Sequence, residues 1–155
     1  MKALKYLAMA IILLLSNEKP NKLYEEGISL ELAQLRKQEI KDLKYRLFFS
    51  IPEKKQETVE GELKASFTLQ HPQEIILDFR ESADKIKDVF VNGEATEYAF
   101  RNEHIILPQI SFKEGKNEVH IHFIAGDQSL NRNDEFLYTL LVPDRARTVF
   151  PCFEQ

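Results

Sequence analysis

The side chains with chemistry to offer are few: four histidines, one cysteine and two arginines near the carboxyl end. His120 and His122 stand two apart in Glu118-Val119-His120-Ile121-His122-Phe123, where apolar and polar residues alternate. Such alternation marks a strand, and residues two apart on a strand leave the same face. That spacing can ligate zinc, which also needs a third protein ligand. Glu118 shares the face but is not strongly placed to complete a set, so a polar sheet face is the better account and no metal ligand is assigned. Cys152 lies between Pro151 and Phe153 with no histidine in a recognisable relation to it. It reads as a small buried apolar residue at a domain junction rather than a nucleophile. Arg145 and Arg147 carry guanidinium forks suited to carboxylates. They either pair with acids across a domain boundary or lie solvated on the surface. No catalytic residue is assigned.

These residues sit in a chain of 155, enough for one domain with a sizeable core. Net charge is −4 with acids and bases interleaved, so the basic stripe that nucleic acid demands is missing. A single cysteine excludes an internal disulfide framework. Phosphate-loop and dinucleotide patterns are absent.

The elements that must position the chemistry are short strands. Leu43, Tyr45, Leu47, Phe49 and Ile51 alternate with polar neighbours. Val59 to Gln70 alternates most cleanly, with Gly61 near its start marking a bulge or a close backbone approach. Glu74 to Phe79 is a shorter, more buried strand. Ile86 to Val91 leads into Asn92-Gly93, a type I′ hairpin signal, with Tyr98 and Phe100 on the return strand. His104 to Pro108 and Gly115 to Phe123 follow. Strands recur with turn signals between them, which predicts an all-β antiparallel sandwich or saddle-like domain. Before them Ser29 precedes apolar residues at helical spacing, with Arg36 and Lys37 at the far end, so a short helical arm leads in.

The amino end reads differently. Residues 1–16 have Lys2 and Lys5, then an apolar run from Tyr6 to Leu15. This is the layout of a secretory signal, too short for the roughly 20 residues of a membrane-spanning helix. Export to a periplasm, cell surface or medium is expected. Residues 17–27 are mostly polar and read as a flexible spacer.

The carboxyl end carries Tyr138-Thr139-Leu140-Leu141-Val142-Pro143, then Arg147-Thr148-Val149-Phe150-Pro151-Cys152-Phe153-Glu154-Gln155. This resembles a signature of the aminopeptidase N family of zinc metallopeptidases (gluzincins), commonly Tyr-Thr-x-x-x-Pro followed by Arg-x-x-Phe-Pro-Cys-Phe-Asp-Gln-Pro. Upstream, Ile75-Ile76-Leu77-Asp78-Phe79, Val89-Phe90-Val91-Asn92-Gly93 and Gly115 to Phe123 follow in an order that fits the same family. The resemblance covers residues 28–155.

It implies the non-catalytic N-terminal β domain of an exported zinc aminopeptidase. Such a domain packs on a thermolysin-like catalytic domain and helps wall the substrate cavity. The parent activity would release N-terminal residues from peptides, with zinc held in the catalytic domain. The family's His-Glu-x-x-His and Gly-x-Met-Glu-Asn motifs do not occur here, so no cofactor is assigned to this chain. Some members place a Glu or Gln near the Pro of the segment to bind the substrate amine; the equivalent here is Val142, which cannot accept a hydrogen bond. Glu154 stands where Asp is usual. Arg145, Arg147, Phe150, Cys152 and Phe153 are the expected domain-interface residues. Left uncovered, the carboxyl corner would form an apolar patch and promote self-association. The alternatives are a free-standing secreted binding module and a truncated, inactive gene product.

Overall fold

The computed structural model describes residues 21–154. The secretory-signal reading of residues 1–16 and the first part of the spacer lie outside the described residues. In chain order the elements are helix α1 (Leu30–Glu39) and strands β1 (Ile40–Ser50), β2 (Glu60–Leu69), β3 (Ile75–Asp78), β4 (Ile86–Val91) and β5 (Glu94–Ala95). There follow β6 (Ala99–Arg101), β7 (His104–Leu107), β8 (Gly115–Ile124), β9 (Leu130–Arg132) and β10 (Leu137–Thr139). One sheet has the order β1-β2-β8-β4-β5, a second β3-β7-β6, and β9 pairs with β10 in a two-stranded arm. All named pairings are antiparallel. The two larger sheets share one apolar core, and the fold is the expected β-rich antiparallel domain with a short N-terminal helix.

The pattern of β2 explains why. Leu63, Ala65, Phe67 and Leu69 are buried while Glu62, Lys64, Ser66 and Thr68 are not. Val119, Ile121 and Phe123 of β8 lie in register beside Ala65, Leu63 and Gly61. Gly61 is the expected close approach. A Cβ there would stand 2.3 Å from Cζ of Phe123, so the ring lies directly over the backbone.

The shorter sheet behaves differently. All four residues of β3 and all four of β7 are buried, because core covers one face while α1 and the carboxyl tail reach the other. Ser29 caps α1, its Oγ accepting from the Leu32 amide at 3.1 Å.

One expectation needs correction. Asn92 and Gly93 take φ of 53° and 88°, as a type I′ turn requires. The return strand, however, is only Glu94–Ala95, and Tyr98 and Phe100 do not continue it. The chain crosses to the second sheet, where β6 pairs with β7 through a further tight turn at Asn102 and Glu103, both at positive φ. Residues 21–27, the described part of the segment 17–27 expected as a spacer, meet the second sheet. The Tyr24 hydroxyl donates to Glu74 at 2.5 Å, its ring lies 4.2 Å from the Arg101 guanidinium carbon, and the Glu25 carbonyl meets His104 Nε2 at 2.8 Å. The Tyr24 ring against Arg101 and side-chain hydrogen bonds from the second sheet to the Tyr24 and Glu25 carbonyls connect this segment to that sheet.

Candidate functional site

Two clusters combine histidine with carboxylate, and they are built differently. The first is closed. Asp78, at the end of β3, and His104, at the start of β7, are each 0% exposed. Arg36 comes inward from the last turn of α1 and meets Asp78 fork to fork, with both nitrogen–oxygen distances 2.7 Å. Its remaining bonds go to the carbonyls of Ile76 and Glu154. His104 Nδ1 lies 2.9 Å from Asp78 Oδ1, and the Glu154 amide donates to Oδ2 at 3.0 Å. The carboxylate therefore receives four bonds, about its full acceptor capacity. Burial alone would raise the Asp78 carboxyl; hydrogen bonds from His104 and Arg36, with their charges, outweigh it and hold the group below its usual value.

The carboxyl tail is the other half of this closure. Cys152 and Asp78 exchange backbone hydrogen bonds at 2.7 and 3.0 Å, so the tail adds a bridge beside β3. The Phe153 amide donates to the Tyr45 hydroxyl at 2.7 Å. Phe153 packs edge-on to Phe67 and Phe150 to Phe49. Glu154 turns back and accepts from the amides of Ala146 and Arg147. Its longer arm, compared with Asp, reaches a turn that its own chain supplies.

The expected exposed patch is thus absent: Phe150, Cys152 and Phe153 are buried in the domain's own core. The physical reason is that the tail docks as strand-like backbone and packs its rings on the core side of β1 and β2, against Phe49 and Phe67. Arg147 is buried too and pairs with Glu103, which also meets Arg80 at 3.1 Å. Arg145 is exposed. Burial, with Glu154 and Asp78 close by, pushes the Cys152 thiol far up, the opposite of what a nucleophile needs.

Exposed apolar surface lies instead just upstream. Phe136, Tyr138, Leu140 and Val142 are 53%, 55%, 52% and 67% exposed along the arm formed by β9 and β10 and the segment after it. Their spacing of two residues is the sequence signal that marks them. Val142, which the resemblance sets at the position of a substrate-binding Glu or Gln, belongs to this run.

The second cluster is open and lies on the outer face of the five-stranded sheet. Strand register sets Phe48, Glu62, His122 and Asp88 in one row and Arg46, Lys64, His120 and Phe90 in the next. Glu62, His120 and His122 bring one ligand atom each to within 4.8 Å of one another. Glu62, across the strand pair, is the partner that sequence reasoning missed; Glu118, the one considered, does not join the group.

No protein-family model matches the sequence, and no curated protein matches it. Solved structures do. An M1 zinc metallopeptidase from Deinococcus radiodurans superposes with a TM-score of 0.57 at 13% identity, over 75% of this chain and 29% of that one. Native yeast LTA4 hydrolase gives 0.61 at 16% identity, over 83% of this chain and 25% of that one. The chain has the fold of a domain of M1 zinc metallopeptidases. It spans under a third of the length of these two chains. A catalytic zinc of the His-Glu-x-x-His kind does not fit the residues present: the histidines are 71, 104, 120 and 122, and α1 contains none.

Proposed function

We propose that this chain serves as a non-catalytic β domain of an exported zinc aminopeptidase. It packs on a catalytic domain, and that parent enzyme releases N-terminal residues from peptides. The apolar run Phe136, Tyr138, Leu140 and Val142 carries the reading. Four large apolar side chains in period two on an exposed arm suit a surface that another domain covers. The likeness to M1 structures supports it, among them a mutant Deinococcus enzyme described as bound to a Tyr-Ser-Ala substrate. Val142 offers an apolar wall to a substrate cavity, so recognition of the peptide amine falls to residues of the catalytic part.

The test is to read the gene beyond the Gln155 codon and express the whole frame. The expected frame continues into His-Glu-x-x-His. Its product cleaves aminoacyl anilides, and its amides at 136–142 exchange more slowly than in the 155-residue chain. A stop codon after Gln155 would overturn the reading. It would favour a free-standing binding module, which the self-covered carboxyl corner also suits.

A further inference from the structure

We propose that Glu62, His120 and His122 form a surface site for a divalent transition-metal cation such as zinc. The donor set is the first observation. Two imidazoles and one carboxylate suit a borderline cation such as zinc better than calcium or magnesium, which favour all-oxygen ligands.

Geometry is the second. A tetrahedral zinc with bonds of about 2.0–2.2 Å spaces its ligand atoms about 3.3–3.6 Å apart. Here the three atoms lie within 4.8 Å of one another, and His120 Nε2 stands 2.8 Å from Glu62 Oε1. Side-chain rotations shifting the ligand atoms by about 1 Å seat the ion. Antiparallel register makes this convergence a property of the backbone, since Glu62 is directly opposite His122.

The third observation is an unmet valence. Although close to Glu62, His120 Nε2 is out of line with it and makes no hydrogen bond, and the atom is shut off from solvent. A buried ring nitrogen without a partner is costly unless something occupies it. The surroundings fit a bound ion. Asp88 Oδ2 lies 3.5 Å from His122 Nδ1, the position from which an outer carboxylate steers the opposite ring nitrogen toward a metal. Phe90 packs against both imidazoles, 5.9 and 6.3 Å between ring centres, and limits their rotation. A groove bordered by Phe48, Glu62, Asp88 and His122 leaves room for a water as fourth ligand. Lys64 Nζ, 3.4 Å from Glu62 Oε1, is the cation a metal must displace from the carboxylate.

The experiment uses the full chain without a polyhistidine tag, dialysed against Zn²⁺ alone, with bound metal counted and histidine resonances followed by NMR. One zinc per chain is expected, with shifts at His120 and His122 and none at His71 or His104. The H120A/H122A double variant should lose that zinc while keeping the metal-free thermal midpoint. Asp88→Asn should weaken binding about 10- to 100-fold, as outer carboxylates do elsewhere. Equal zinc binding by wild type and double variant would overturn the proposal. So would the absence of imidazole shifts at His120 and His122 in the wild type, a readout independent of how any variant folds.

Discussion

The closed cluster around Asp78 and the open one around His120 use the same chemistry to opposite ends. Each sets histidine and a basic side chain against a carboxylate. Around Asp78 the fold supplies a partner for nearly every valence, with Arg36 Nε left over, and shuts the group away from water. Around His120 the partners are half exposed, and a ring nitrogen lacks a bond. Completeness of hydrogen bonding separates a structural lock from a place that can take a ligand. The lock also explains the tail: Glu154 and Cys152 are held by the same aspartate that holds α1.

The contrast is most sharply tested by removing each carboxylate. Asp78→Ala leaves Arg36 and His104 facing no acid, and breaking such a buried pair costs about 3–5 kcal/mol. Glu62→Ala on the open face should leave the unfolding midpoint nearly unchanged. Urea unfolding midpoints measure both, and equal losses would erase the distinction. Next in size is the core beneath the open face. Gly61→Ala drives a methyl into the Phe123 ring and should cost about 1–3 kcal/mol by the same assay.

A smaller effect is pH dependence. The Asp78 carboxyl sits lower folded than unfolded, so its stabilisation is complete above the unfolded value of about 3.9 and fades as pH falls through the lower folded value. Glu31, Glu62 and Asp84 are lowered as well and add to the same acid slope. The informative quantity is therefore the difference between wild type and Asp78→Asn, which should shrink steadily from pH 5 to pH 2. The mildest probe is the thiol. Cys152 should resist a disulfide reagent in the folded chain at pH 8 and react at once in urea, whereas fast labelling without urea would mean the tail is undocked.

Much of the fold was legible because its signals are local. The Ser29 cap, the alternation of β2 and β8, and the Asn92-Gly93 turn each depend on a few neighbouring residues. The turn at Asn102-Glu103 escaped notice because Glu is an unusual residue at positive φ; its ion pairs with Arg80 and Arg147 come from elsewhere in the chain. The burial of the carboxyl corner is illegible in the sequence for a related reason. Phe150 and Phe153 are plainly apolar, but nothing near them in sequence reveals that Phe49 and Phe67 receive them.

Local patterning along the chain is enough to show that it makes antiparallel strands, where most of them run, and which face of each long strand is dry. The sequence also carries the motif order whose likeness to M1 peptidases the fold shares. Which groups meet is settled by the packed fold. Arg36 finds Asp78 across 42 positions, and Glu62 arrives opposite His122 through strand register. Period-two patterning names a face but not the neighbouring strand, and that pairing is chosen by packing of the whole core.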